Sequence, residues 1–277
     1  MELSNPIDFT GRAVIVTGGT KGIGATIAEA FLAAGAEVMV CGRTAPAAPP
    51  SSAGRTAAFR CTDVRDPTEA AHLVAAAAER FGRLDVLVNN AGGSPDADAA
   101  TVSPRFVEKV VALNLLAPFY LAQAANLVMR EQPAGGAVIN IGSVSAYDPQ
   151  PGTAAYSAAK AGLLGLTRAL ALEWAPKVRV NHITAGPVRT ASAPALHGAD
   201  EGAAVASVIP MGRLAAPADV AHACLWLAGP HSSYVNGADL AVHGGGEIPA
   251  RDLVRRNTDR APSRHLDHIG HHPLSSQ

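Results

Sequence analysis

The chain has 277 residues, 48% of them hydrophobic and 16% charged, with a formal net charge of -1. That length and balance suit one large globular domain and exclude a disordered chain, and the near-neutral charge counts against a general nucleic-acid binder. Three widely spaced cysteines, Cys41, Cys61 and Cys224, give neither a disulfide framework nor a zinc site and fit a reducing, cytoplasmic setting. The opening Met-Glu-Leu-Ser-Asn-Pro lacks the basic and apolar regions of a signal peptide. No apolar run reads as long enough to span a membrane, so no membrane partner is expected.

In chain order, β-branched apolar runs predict strands near 13–17, 37–41, 57–61, 85–89, 137–141, 178–183 and 238–242. Helical spacing predicts helices near 23–34, 67–80, 104–130, 153–174 and 217–228. This alternation predicts an α/β fold: a single doubly wound, Rossmann-type domain with a parallel sheet of about seven strands. Between the second and third strands, Thr44–Ser52 carries three prolines, so an irregular connection is expected where a crossover helix would normally run. Residues 1–247 form the predicted catalytic domain. Residues 248–277 form an extension expected to be partly disordered or packed on a neighbouring subunit.

The run Thr17-Gly18-Gly19-Thr20-Lys21-Gly22-Ile23-Gly24 joins the first strand to the first helix. Glycines let backbone approach a pyrophosphate, and the helix N-terminus meets its negative charge. Further along, Tyr156 and Lys160 stand one helical turn apart, with Ser143 thirteen residues upstream. A cation beside a phenol favours the phenolate, and a serine hydroxyl can orient a carbonyl or alcohol against it. Taken alone, the Tyr–Lys spacing also fits an ordinary surface pair.

Together these motifs resemble the short-chain dehydrogenase/reductase family, including its 3-oxoacyl-carrier-protein reductase-like members. The glycine turn looks like that family's T-G-x-x-x-G-x-G, and Asn89-Asn90-Ala91-Gly92 looks like its N-N-A-G. Asn114, Ser143, Tyr156 and Lys160 match its catalytic tetrad, and the resemblance runs from about residue 8 to 246. It implies cofactor contacts from Gly18, Thr20, Lys21, Gly22, Ile23 and Gly24, then Asp63 and Val64 near adenine, and Asn90, Ala91 and Gly92. It further implies contacts from Tyr156 and Lys160 and from the loop residues Gly186, Val188 and Thr190. The stretch Val180–Pro187 departs from the family's V-N-x-x-x-P-G, because Ala185 replaces the proline and Pro187 follows the glycine. His243 stands where the closing segment usually has Asp.

The end of the second strand reads Cys41-Gly42-Arg43-Thr44, with no acid to bind a ribose 2′-hydroxyl. Arg43, with Lys21 close by, suits a 2′-phosphate, so NADP is expected rather than NAD. Ser145, Tyr147 and Gln150 are expected to line the substrate wall, and 191–212 to form a lid. The expected activity is hydride transfer between NADP(H) and a small-molecule ketone or secondary alcohol, with Tyr156 as general acid/base; an acyl-thioester substrate stays open. The alternatives are an NAD-dependent degradative alcohol or hydroxysteroid-type dehydrogenase, and a catalytically silent dinucleotide sensor or scaffold. Wide apolar faces on the long helices predict a homotetramer. No metal site is expected; His265, His268, His271 and His272 of the tail show no known ligand framework.

Overall fold

The computed structural model describes residues 8–190 and 202–248. Seven strands form one parallel sheet in the order β5-β2-β1-β6-β7-β8-β9. They are β1 (Ala13–Thr17), β2 (Glu37–Gly42), β5 (Ala58–Cys61), β6 (Val86–Asn89), β7 (Gly136–Ile141), β8 (Val178–Ala185) and β9 (Asp239–Val242). Every residue of β1 is buried, as expected of a central parallel strand covered on both faces.

Alternate residues go to opposite layers, because successive strand side chains point to opposite faces. Val14, Val16, Val38, Val40, Ile139 and Ile183 pack against α1 (Gly22–Ala33) and α7 (Pro217–Ala228), through Ile27, Phe31, Val220 and Leu227. Ile15, Met39, Leu87, Val138 and Val180 pack against α2 (Pro67–Phe81), α4 (Ala117–Met129) and α5 (Ala154–Trp174), through Leu73, Leu121, Met129 and Leu170. The chain runs outward from β1 to β2 and β5, then returns to β6 on the other side of β1. The order therefore reverses between β1 and β6, and in open α/β sheets a crevice for ligands forms outside the carboxyl ends at such a point.

Local chemistry sets the helix ends. Asp66 caps α2 by accepting hydrogen bonds from the Thr68 and Glu69 amides, with Pro67 in the first turn and Gly82 left-handed at the exit. Ser103 caps α3 (Pro104–Val111) through the Phe106 amide. The helix from 104 to 129 is interrupted by a π-helical stretch, Ala112–Leu116, before α4 resumes. By length and composition this 26-residue helix, mean hydropathy 1.4 in its most apolar window, is apolar enough to cross a membrane, contrary to the sequence expectation. Its residues Leu121, Ala122, Ala125 and Met129 are buried in the sheet core.

The proline-rich connection after β2 carries no helix. A small antiparallel hairpin, β3 (Ser51–Ser52) with β4 (Arg55–Thr56), takes its place. Its turn residues Ala53 and Gly54 both have positive φ, the conformation that tight hairpin turns require. A short helix, α6 (Ala203–Val208), precedes α7. Of the lid expected at 191–212, residues 191–201 lie outside the described residues, as does the tail from 249.

Candidate active site

The glycine turn leaves β1 at the reversal of strand order. Gly18 and Gly22 are left-handed, with φ of 61° and 54°, which favours glycine at both. A Cβ on Gly24 would lie 2.4 Å from Asn90 Nδ2 and from the Gly18 carbonyl oxygen. The turn is locked from β6: Asn90 Nδ2 donates to the Thr17 carbonyl at 2.8 Å, and the Asn90 and Ala91 amides both donate to Thr17 Oγ1 at 3.0 Å. Lys21, at the start of α1, is exposed and makes no side-chain cap. The first amides of α1 thus lack a capping side chain in a turn that admits close backbone approach. That arrangement fits a dinucleotide's diphosphate.

Around Gly92 the predicted residues converge. A Cβ built there would meet Asn114 Oδ1 at 2.9 Å and Lys160 Nζ at 3.3 Å. Asn114 is fully buried; its amide donates to Val110 O and Gly93 O and accepts from the Gly93 amide. It thereby fixes the strand-end segment to the π-helical stretch. Lys160, only 4% exposed, donates to the Ile141 carbonyl at 2.7 Å. Burial pulls its ammonium down to about 8.

Ser143 follows β7 and Tyr156 opens α5, with the serine side chain near enough to the phenol to favour its ionised form. The Lys160 ammonium stands 5.6 Å from the Tyr156 ring centroid. All four tetrad residues therefore gather at the carboxyl end of the sheet. The tyrosine's acidity departs from the sequence expectation. Burial pushes the phenol above its ordinary value and the neighbouring Ser143 side chain only partly offsets it, so the protonated form is favoured. The lysine is close, but desolvation wins in the ligand-free chain.

The chain matches the family profile described as enoyl-(acyl carrier protein) reductase over residues 18–247. It is 36% identical to a D-threitol dehydrogenase of Mycolicibacterium smegmatis, over 88% of this chain and 96% of that protein. It is 32% identical to an NADP-dependent (R)-specific alcohol dehydrogenase of Lentilactobacillus kefiri, over 85% and 96% of the two chains. The chain belongs to the short-chain dehydrogenase/reductase family. Its fold is also similar to a 7α-hydroxysteroid dehydrogenase solved with NADH and a 7-oxo bile acid, with a TM-score of 0.81, 29% identity, and coverage of 87% and 96%. Short-chain dehydrogenases bind a nicotinamide dinucleotide, NAD or NADP, and act on alcohols and ketones.

Thr20 stands beside Gly42 at the end of β2, so the glycine turn adjoins the exposed Arg43. Asp63 is engaged by Arg65, whose guanidinium bonds its carboxylate and holds it below the usual range, with Arg43 a smaller contribution. Val64 is buried in the core, and Ile23 packs against α1's apolar cluster. Gly186 fits closely under His243, whose Cα would be 2.8 Å from an added Cβ. His243 Nδ1 accepts from the Gly245 amide. Val188 pairs with Ala215 in an isolated parallel bridge, and Thr190 lies next to Gly22, returning the loop to the glycine turn. The Ser145 amide bonds Ser143 Oγ. Gln150 reaches Glu247 at 3.3 Å, and the Tyr147 hydroxyl reaches Asp239 at 2.6 Å.

Several residues that build the site carry no sequence expectation. Thr17 is one, although it opens the glycine motif and ends a buried strand. Asn89 and Asn140 are others: Asn89 donates to Asn140 Oδ1, and Asn140 donates to Thr167 on α5, tying β6, β7 and α5 together. The first asparagine of N-N-A-G is the only signal for that chain of amides.

Proposed function

We propose that the protein is an NADP(H)-dependent carbonyl reductase that interconverts a ketone and a secondary alcohol, with Tyr156 as general acid and base. The carrying observation is the meeting of Asn114 and the buried Lys160 ammonium at Gly92, with the Tyr156 ring 5.6 Å from that ammonium and Ser143 beside the phenol, at the mouth of a turn suited to a diphosphate. The bound dinucleotide would supply or accept the hydride. In reduction, Tyr156 gives its proton to the carbonyl oxygen while the Ser143 hydroxyl hydrogen-bonds that oxygen as negative charge develops. A phenol kept protonated by burial suits the acid role. Lys160, near 8, is poised to return a proton at neutral to mildly alkaline pH.

Exposed Arg43, adjoining the glycine turn, together with exposed Lys21, supports NADP over NAD. Exposed Leu127 on α4 and Leu172 on α5, the latter 84% exposed, support burial between copies in a homotetramer. A cytoplasmic setting goes with the free thiols.

The test is a panel of neutral ketones, polyols, hydroxysteroids and 3-oxoacyl thioesters with NADPH, NADH and their oxidised forms. Turnover of a ketone or alcohol with NADP(H) is expected. Dinucleotide binding without turnover of any compound would favour a sensor or scaffold. Preference for NAD would overturn the cofactor assignment, and light scattering checks the tetramer.

A further inference from the structure

His182 on β8 is fully buried, and the reaction described above makes no use of it. Its Nδ1 lies 2.7 Å from Asp239 Oδ1. The same carboxylate accepts the Thr184 hydroxyl at 2.8 and 2.9 Å and the Tyr147 phenol at 2.6 Å. With Nδ1–H donated to the carboxylate, Nε2 is a bare acceptor, and it is buried with no partner. A Cβ on Gly142 would fall 2.0 Å from His182 Cε1 and Nε2. The imidazole therefore fills the volume that any side chain at 142 would need.

Gly142 immediately precedes Ser143, and its amide donates to Ile183 O at 2.8 Å. Tyr147 closes the single 3₁₀ turn Val144–Ala146 that Ser143 begins. Within this stretch the bonds are local, from Ser145 N to Ser143 Oγ, Ala146 N to Ser143 O, and Tyr147 N to Val144 O. One 3₁₀ turn has little stability of its own. Asp239 grips both ends of it: Tyr147 directly, and Gly142 through the packed ring of His182.

We infer that Asp239 and His182 are positioning residues for Ser143, clamping the stretch from Gly142 to Tyr147 so that the serine hydroxyl stands where the substrate oxygen must lie. The inference rests on the reading of Ser143 as the hydroxyl that orients the reacting oxygen. Small displacements of such a group are costly in rate.

Tyr147→Phe and Asp239→Asn test it, by amide hydrogen exchange and by steady-state kinetics on a ketone. Tyr147 is 51% exposed, so loss of its hydroxyl does not open the core. In both variants the amides of residues 144–148 should exchange about tenfold faster or more, the factor carried by one hydrogen bond to a carboxylate. The turnover number should fall and the thermal midpoint of Tyr147→Phe drop by only about 2–6 °C, while dinucleotide affinity stays at the wild-type value. If Asp239→Asn fails to fold, Tyr147→Phe decides alone. Exchange within about twofold of wild type would overturn the clamp, and so would faster exchange with an unchanged turnover number. Tyr156→Phe is the control: continued turnover there would sink the reaction reading, while the exchange data would still judge the clamp.

Discussion

The Lys160 ammonium donates a 2.7 Å hydrogen bond to the carbonyl oxygen of Ile141, and so joins α5 to β7, the strand that leads into Ser143. This bond satisfies a cation that is otherwise stripped of water, yet burial still lowers the lysine from 10.5 to about 8. The consequence for stability has a definite sign. Below pH 8 the lysine is protonated in both folded and unfolded chains, and the folded state bears the cost of a buried charge. Between about 8 and 10.5 the folded chain releases the proton first, so stability rises with pH across that window. The stability of wild type relative to Lys160→Met should therefore increase from pH 8 to 10. Buried Cys41 and Cys224, whose thiols are pushed up, pull the other way but cancel in the difference. Thermal melts of the two ligand-free proteins check this, and a flat difference would show that Lys160 does not titrate there.

Tyr156→Phe removes the phenolic oxygen and little else. Turnover should drop by about a hundred- to ten-thousand-fold, the usual worth of a general acid–base group. Dinucleotide binding, followed by fluorescence titration, should be nearly unchanged. A variant that keeps more than about a tenth of the wild-type rate would mean that another group moves the proton.

Arg43→Asp should weaken NADPH binding by at least about tenfold relative to NADH, because it exchanges a charge-assisted donor for a repelling carboxylate. Equal losses for the two cofactors would remove Arg43 from 2′-phosphate recognition. Titration of both reduced dinucleotides against both proteins settles the comparison.

Gly24→Ala should disable the glycine turn. The added methyl would lie 2.4 Å from the Gly18 carbonyl oxygen and from Asn90 Nδ2, and backbone cannot move aside cheaply. A loss of about 1–3 kcal/mol of stability is expected from such overpacking, together with loss of dinucleotide binding. Denaturant unfolding and cofactor titration read the two effects separately. Wild-type affinity in this variant would count against the turn as the diphosphate site.

Much of the fold is legible in the sequence, because each sheet strand is a short apolar run bounded by turn residues and each long helix shows helical spacing or a capping signal; the short helix Ala203–Val208 shows neither. Asp66-Pro67 before α2 and Ser103-Pro104 before α3 announce their helices directly. Asn114, Ser143, Tyr156 and Lys160, far apart in sequence, are brought to one end of the sheet. What the sequence hides depends on distance and depth. His182 and Asp239 are 57 residues apart, and no spacing rule joins them. The direction of the Tyr156 shift is hidden too: helical spacing reveals the neighbouring cation but not how far burial outweighs it. The hairpin at 51–56 lies in a stretch whose prolines forbid a helix without stating what replaces it.

The π-helical stretch Ala112–Leu116 makes the length of the helix running from 104 to 129 a counted quantity. A π-turn carries one residue more than the regular helix would hold there. Removing any one residue between Val111 and Ala117 would let the helix run on as plain α. Both flanks would then keep their present faces, with Leu121, Ala125 and Met129 still toward the sheet. What would be lost is the wide turn that carries Asn114, and with it the bonds from Asn114 to Val110 and Gly93. A single-codon deletion within 112–116 should thus spare the fold and dismantle the contact at Gly93, whereas one in the regular helix on either side would turn the rest by about 100°, one residue's share of a 3.6-residue turn.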